Sequence, residues 1–379
     1  MPGQPQRLIV NTDRGLYCPA GEFFIDPWQP VDRAIITHGH SDHARPGSKR
    51  YLAANPGLEV LRHRLAIDEG GATIEGLAYG QRVRLNDVIV SLHPAGHLLG
   101  SAQVRLERDG ETWVVSGDYK LHRDPTCDAF EPIACDTFIT ECTFGLPIYR
   151  WPAPEVVFDE IHSWWRENQQ LDRTSIIFAY ALGKAQRLLA GLDESIGPIL
   201  AHGAIARFNE VYERAGVRLP AWKRAEPETI RAHRGRAMVI APPSAISSPW
   251  LRRFGELSTA FASGWMLVRG TRRRSNVDRG FALSDHIDWP GLLESIEATG
   301  ARAIGVTHGN TDVVARHLAE RGYHATVYAT QFSSRGEEQL GDDGNGGNGG
   351  NGGDHVTPAA PVEPSPRRDD ASRPELFDD

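Results

Sequence analysis

Cysteine is scarce in this chain. Its four residues, Cys18, Cys127, Cys135 and Cys142, contain no C-x-x-C pair. The spacing shows no disulfide framework, and it fits reduced thiols in a cytoplasmic protein. No apolar run approaches the roughly 20 residues a membrane-spanning helix needs, so no membrane partner is expected. The opening Met1-Pro2-Gly3-Gln4-Pro5-Gln6-Arg7 lacks the apolar stretch of a secretory leader, which again points to the cytoplasm. Internal repeats are absent. So is any charge excess in the body of the chain: the net −8 arises from 11 acidic against 3 basic residues after position 335, which leaves 38 of each sign before it. A neutral body excludes nothing about a polyanionic substrate, because local field decides that.

The 379 residues exceed one comfortable core and predict two folded units. Residues 1–148 are rich in short β-branched and apolar runs, such as Phe23-Phe24-Ile25, Ala34-Ile35-Ile36, Val88-Ile89-Val90, Trp113-Val114-Val115 and Phe138-Ile139-Thr140. One helix is expected over 57–66. Residues 149–276 change character. Helical periodicity at 154–168, 184–193 and 204–215 alternates with strands at 175–179 and 237–240, which predicts a layered unit on a parallel sheet. Residues 277–335 resume the first style, with strand Phe281-Ala282-Leu283, helix 290–298, strand 303–306, helix 312–321 and strand 325–329. The order predicts one unit inserted into another. Residues 336–379, Gly/Asn-rich and then Pro- and acid-rich, are expected to be a disordered tail.

What is abundant is histidine in one place. Residues 37–43 read T-H-G-H-S-D-H, directly after an apolar run. In an extended segment residues two apart face the same way, so His38 and His40 can converge on one metal ion, with Asp42 and His43 turned to a second. Imidazole and carboxylate donors suit zinc, with manganese or iron as alternatives. The bland alternative is a polar surface turn. Further donors stand at strand ends beside glycine: His97 in P-A-G-H-L-L-G-S, Asp118 in V-V-S-G-D and His308 in V-T-H-G. Singly each could be an ordinary polar residue; four such clusters argue for a site on loops held by strands.

With these motifs the sequence resembles the metallo-β-lactamase fold, and within it the β-CASP nuclease branch, over nearly all of residues 8–335. His38-Gly39-His40-Ser41-Asp42-His43 matches the second motif, His97 the third and Asp118 the fourth. Asp26, closing Phe23-Phe24-Ile25, matches the first, with Asp13 as a rival. Glu141, His286 and His308 match the three motifs of the β-CASP branch. The resemblance implies an αββα sandwich carrying an inserted α/β domain. It implies two zinc ions: His38, His40 and His97 on one, Asp42, His43 and His308 on the other, Asp118 bridging, and Asp26 behind the ligands. It also implies hydrolysis of a phosphodiester by metal-activated water, with His286 as general acid and Glu141 orienting it. For His286 the alternative is a place beside a helix cap, since Ser284 or Asp285 could cap a helix starting near Trp289. For Glu141 it is a solvated loop carboxylate.

The inserted region carries F-A-Y-A-L-G-K-A-Q at 178–186, a strand, turn and helix that either accepts a phosphate or simply turns. It also carries Ser263-Gly264-Trp265-Met266, then Arg269 and Arg272-Arg273-Arg274. Ser263, Gly264 and these arginines are the expected substrate-binding residues, the arginines contacting phosphates; Trp265 either stacks on a base or joins the core. Together with L-S-D-H-I-D-W this stretch resembles bacterial exonucleases associated with ATP-dependent DNA ligases. That resemblance implies a nuclease of DNA ends in DNA repair, beside a DNA ligase and a helicase. A histidine at 308 keeps RNA processing as the alternative. The length of the insertion disfavours a small-molecule hydrolase, and the full set of motif residues disfavours a binding module with a dead site.

Overall fold

The computed structural model describes residues 7–331, apart from 66, 68–70, 247 and 271–275. The expected tail and Arg272, Arg273 and Arg274 therefore lie outside the described residues. The chain first builds a six-stranded sheet from β1 (Val10–Thr12), β2 (Gly15–Cys18), β3 (Phe23–Ile25), β4 (Arg33–Ile35), β5 (Arg50–Ala54) and β6 (Thr73–Leu77), in that order. Pairing is antiparallel from β1 to β3 and parallel from β3 to β6. Helix α1 (Leu58–Leu65) lies between β5 and β6. A second sheet starts with β7 (Arg82–Leu85), β8 (Val88–Pro94), β9 (Ala102–Arg108), β10 (Glu111–Val115) and β11 (Thr137–Cys142).

The chain then leaves for a third sheet, which is parallel throughout. Its strands are β12 (Thr174–Phe178), β13 (Ile199–Ala201), β14 (Trp222–Arg224), β15 (Met238–Ala241), β16 (Leu257–Ala262) and β17 (Arg279–Phe281), ordered β14-β13-β15-β12-β16-β17. Its helices are α2 (Pro154–Gln170), α3 (Lys184–Ala190), α4 (Gly203–Arg214) and α5 (Pro227–His233). Helix α2 starts on Pro154 and buries Val157, Ile161, Trp164, Trp165 and Asn168, positions i, i+4, i+7, i+8 and i+11, which lie on one face. The chain returns through α6 (Trp289–Thr299), β18 (Ala303–Gly309), α7 (Thr311–Glu320) and β19 (His324–Val327), which complete the second sheet in the order β19-β18-β11-β10-β9-β8-β7.

Hydrophobic patterning explains the layers. Phe23, Ile25 and Ile35 of the first sheet meet Val90, Leu92, Val104, Leu106 and Val115 of the second in one dry core. The opposite faces are covered by helices: Leu61 and Leu65 of α1 on Ala34, Tyr51 and Ile74, and Leu292, Ile296, Val314 and Leu318 of α6 and α7 on Phe138, Ile304 and Val306. This is the αββα sandwich with an inserted α/β layer. Two expectations need correction. The strand near 281 pairs with β16 in the third sheet, so the segment from 277 does not at once rejoin the sandwich. The third-sheet core also takes in Val60, Leu98 and Leu99, so the hydrophobic core runs across the sequence boundary. Among the described residues no helix is long and apolar enough to cross a membrane.

Candidate functional site

Strands β8, β10, β11 and β18 all run the same way, as the parallel and paired antiparallel registers require. Their C-terminal ends deliver His97, Asp118, Glu141 and His308 to one edge. From the first sheet, β3 and β4 run parallel and deliver Asp26 and His38. The segment 38–43 is not extended, contrary to expectation. It is a turn in which Ala44 N–H donates to His40 O at 2.7 Å, and the turn brings the rings of His38 and His40 to 4.8 Å between centroids.

Each imidazole has one nitrogen engaged, which leaves the other facing inward. His38 Nδ1 lies 3.1 Å from Thr37 Oγ1. His40 Nε2 donates to Leu182 O at 3.2 Å, and His97 Nδ1 donates to Asp285 O at 2.8 Å. His40 Nδ1 and His97 Nε2 then face each other at 3.2 Å. His43 Nδ1 is 2.7 Å from Asp26 Oδ2. Asp26 also accepts from Thr37 N–H at 2.8 Å and from its hydroxyl at 2.6 Å, so one carboxylate holds both the turn and a ring. Asp13 makes no such contact.

Asp118 stands in the middle. Its Oδ2 lies 3.3 Å from His38 Nε2, 3.5 Å from His43 Nε2 and 3.7 Å from His97 Nε2. Asp42 Oδ2 is 3.6 Å from His43 Nε2, and the His308 ring stacks on His43 at 5.2 Å. His38 Nε2 and His43 Nε2 are buried without a hydrogen-bond partner. Buried orphan nitrogens carry a desolvation penalty, and a cation between them would remove it. The ligand atoms of His38, His40, His97 and Asp118 lie within 4.8 Å of one another, a donor set of three imidazoles and a carboxylate that fits zinc and its neighbours. Burial, reinforced by the nearby His43, lowers the His38 pKa to about 3, and burial pushes His97 down as well. Neutral rings of this kind are ready to ligate.

Beside the cluster, His286 Nδ1 lies 3.0 and 2.9 Å from the two oxygens of Glu141, both residues being buried. Glu141 Oε1 also accepts from Tyr119 N–H at 3.0 Å. Burial opposes a charge on His286, but the carboxylates of Glu141 and Asp118 outweigh it and raise its pKa to about 10. Asp118, Glu141 and His286 by themselves also form a group close enough to hold an ion. The expected alternative for this stretch does not hold: Asp288, not Ser284 or Asp285, caps α6 by accepting from Gly291 N–H at 3.0 Å. Nor is Glu141 a solvated loop carboxylate.

The cleft over the cluster is lined by His40, Asp42, His97, Asp118, His286 and His308 and by five residues that sequence reasoning missed as site residues: Thr143, Asp285, Tyr180, Leu182 and Lys184. The last three belong to the 178–186 segment, whose strand–turn–helix pattern was visible. Ser263 and Gly264, expected to bind substrate, are instead buried. Ser263 Oγ accepts from Trp265 N–H at 3.3 Å, and a Cβ on Gly264 would sit 2.7 Å from the Phe144 ring. Trp265 packs on Phe144 with centroids 4.7 Å apart, in the aromatic cluster behind His286. Arg269 is exposed and is not among the residues lining the cleft.

No protein-family model matches the chain. A probable DNA ligase of Opitutus terrae is 34% identical over 319 residues, 83% of this chain and 30% of that protein. An RNase J-like protein of Methanocaldococcus jannaschii is 26% identical over 241 residues, 55% of this chain and 56% of that one. The chain belongs to the metallo-β-lactamase-fold β-CASP family. It spans under a third of the ligase and just over half of the RNase J-like protein. The fold is also similar to that in a crystal structure of a protein of unknown function from Enterococcus faecalis V583, with TM-score 0.53, 12% identity and coverage of 80% of this chain and 79% of that one. In β-CASP terms, the site sits where the sandwich meets the insert, with Leu182 and Lys184 contributed by the insert.

Proposed function

We propose that this protein is a zinc-dependent exonuclease that hydrolyses phosphodiester bonds at DNA ends, as part of DNA repair. The observation that carries the reading is the His286–Glu141 pair standing against the His and Asp cluster. Such a pair supplies an acid beside a cation site, and phosphodiester hydrolysis needs both. His38, His40 and His97 would hold one ion, and Asp42, His43 and His308 the other, with Asp118 shared. Bound ions supply a nucleophile from water at neutral pH and offset charge on the phosphoryl oxygens.

The chain's own residues do the rest. Glu141 fixes the His286 ring through Nδ1, which leaves Nε2 to protonate the departing oxygen. Asp26 and Thr37 hold His43 and His38 in the tautomers that ligate. Tyr180 and Lys184 line the cleft where an anionic strand would lie. The DNA reading is favoured by the likeness to a protein named as a probable DNA ligase, and a DNA ligase and a helicase are the proposed partners. A second reading, RNA processing, is favoured by His308 and by the likeness to an RNase J-like protein. The deciding experiment compares end-labelled DNA and RNA of matched sequence, with free or blocked ends, in the presence of zinc or manganese. Stepwise shortening of free-ended DNA supports the proposal. Degradation of RNA alone replaces it with the second reading, and internal cuts in blocked DNA remove the exonuclease mode.

A further inference from the structure

Two of the three imidazoles assigned to the first ion are oriented by main-chain carbonyls outside the sandwich. Leu182 O binds His40 Nε2, and Asp285 O binds His97 Nδ1. Both carbonyls lead back to helix α3. Leu182 lies just before it. Asp285 is tied to it through its side chain: Oδ1 accepts from Arg187 Nη1 at 2.8 Å, and Oδ2 lies 3.2 Å from Lys184 Nζ. The same guanidinium donates to Ser284 O, and Lys184 Nζ reaches Leu283 O at 3.4 Å. From the sandwich, Asp124 Oδ2 joins at 2.7 Å from Lys120 Nζ and 3.9 Å from Arg187 Nε. All five charged side chains are at most 5% exposed.

Burying a charge costs several kcal/mol even after relaxation, and its pairing rarely returns more than that cost. An apolar contact would hold α3 against the loop at least as stably. What the ion cluster adds is direction, since a planar guanidinium meets its acceptors in a fixed fork. The loop so gripped, 283–286, carries the His97 acceptor and the His286 ring on consecutive residues.

We propose that helix α3 of the insert is the positioning platform of the metal centre, acting through Asp285 as a positioning residue. It sets His40 directly through Leu182 O, and sets His97 and His286 through the Asp285 clamp. The inference rests on the reading of His40 and His97 as ligands and of His286 as the acid. It assigns the insert a part in holding the ions as well as in lining the cleft.

The test compares the full chain with Asp285→Asn, Arg187→Gln and the double variant. Zinc affinity is measured by competition with a chromophoric chelator, folding by circular dichroism, and kcat and KM on a labelled DNA oligonucleotide. In folded single variants zinc affinity is expected to fall about 10- to 100-fold, the range seen when groups behind metal ligands are removed. The double variant should bind no worse than the weaker single one, because either change opens the same clamp. In these variants kcat falls while KM stays. Folded variants with wild-type zinc affinity and kcat overturn the proposal. Should Asp285→Asn and Arg187→Gln not fold, Arg187→Lys keeps the charge and loses the fork; a several-fold drop in zinc affinity supports the platform, and wild-type affinity overturns it. A wild-type chain that cleaves no nucleic acid counts against the reaction instead, while the zinc affinities still decide the positioning role.

Discussion

His286 Nδ1 lies 2.9 Å from Glu141 Oε2, across 145 residues of sequence. The Glu141→Gln variant keeps the contact's shape and removes its charge. The His286 pKa, about 10 here, should then fall. A general acid must be protonated, so the rate falls as pH rises through the acid's pKa in the metal-loaded protein, and the alkaline limb of the pH–rate profile should move to lower pH in the variant. At neutral pH or above, kcat should drop on the order of 10²-fold. An unmoved alkaline limb would show that Glu141 does not tune this histidine.

Asp26 ties Thr37 to His43. Its replacement by alanine frees the His43 ring and removes the acceptor of two hydrogen bonds. Metal affinity should fall about 10- to 100-fold, read by chelator competition, with the helical signal in circular dichroism retained. Unchanged affinity would make Asp26 a purely structural residue.

Gly309 has φ +81, and a Cβ there would lie 2.2 Å from Cys142 O. Gly309→Ala is expected to cost more than about 1 kcal/mol, since both the backbone and the contact oppose it. Because the adjoining His308 also has positive φ, activity should drop with stability. Thermal melting and a cleavage assay check the pair of effects; a variant with wild-type melting contradicts the strain argument.

Acid should destabilise the metal-stripped protein. Unfolded, each histidine takes a proton near pH ~6.5. In the fold, burial keeps His38 neutral down to about pH 3, and His40 and His97 shift the same way. Their contribution is fully present above ~6.5 and is lost as pH falls. His43 and His286 shift upward despite burial, through the nearby carboxylates. Their contribution is fully present below ~6.5 and fades only as pH rises through their folded values. Between pH 6.5 and 5 the second pair is therefore constant while the first three lose. The melting temperature in chelator should fall over that window; a flat or rising curve contradicts the assignment.

His38, His40, His97, Asp118 and His308 were legible because each adjoins a glycine just past or near a strand end, so a short window of sequence carries the signal. The sandwich was legible from apolar runs at β3, β8, β10 and β11. Strand β5, Arg-Tyr-Leu-Ala-Ala, was not, because neither alternation nor β-branching marks it. Asp285 looked like a helix cap because its partner Arg187 is 98 residues away, and no local pattern records such a pair. Ser263 and Gly264 looked like substrate contacts because they lead into an arginine run shortly before His286; here Phe144 and Ser284 lie close against Gly264, and both residues are buried. Lys184 was missed for the converse reason, since a lysine at a helix start usually faces water.

The most direct test of the central claim is elemental analysis of the natively purified full chain and of its Asp118→Ala variant. The account predicts two transition-metal ions per wild-type chain, zinc first, and a marked loss in the variant, whose missing carboxylate would be shared by both ions. A wild-type chain that holds no transition metal, even after resupply with zinc or manganese, would contradict it.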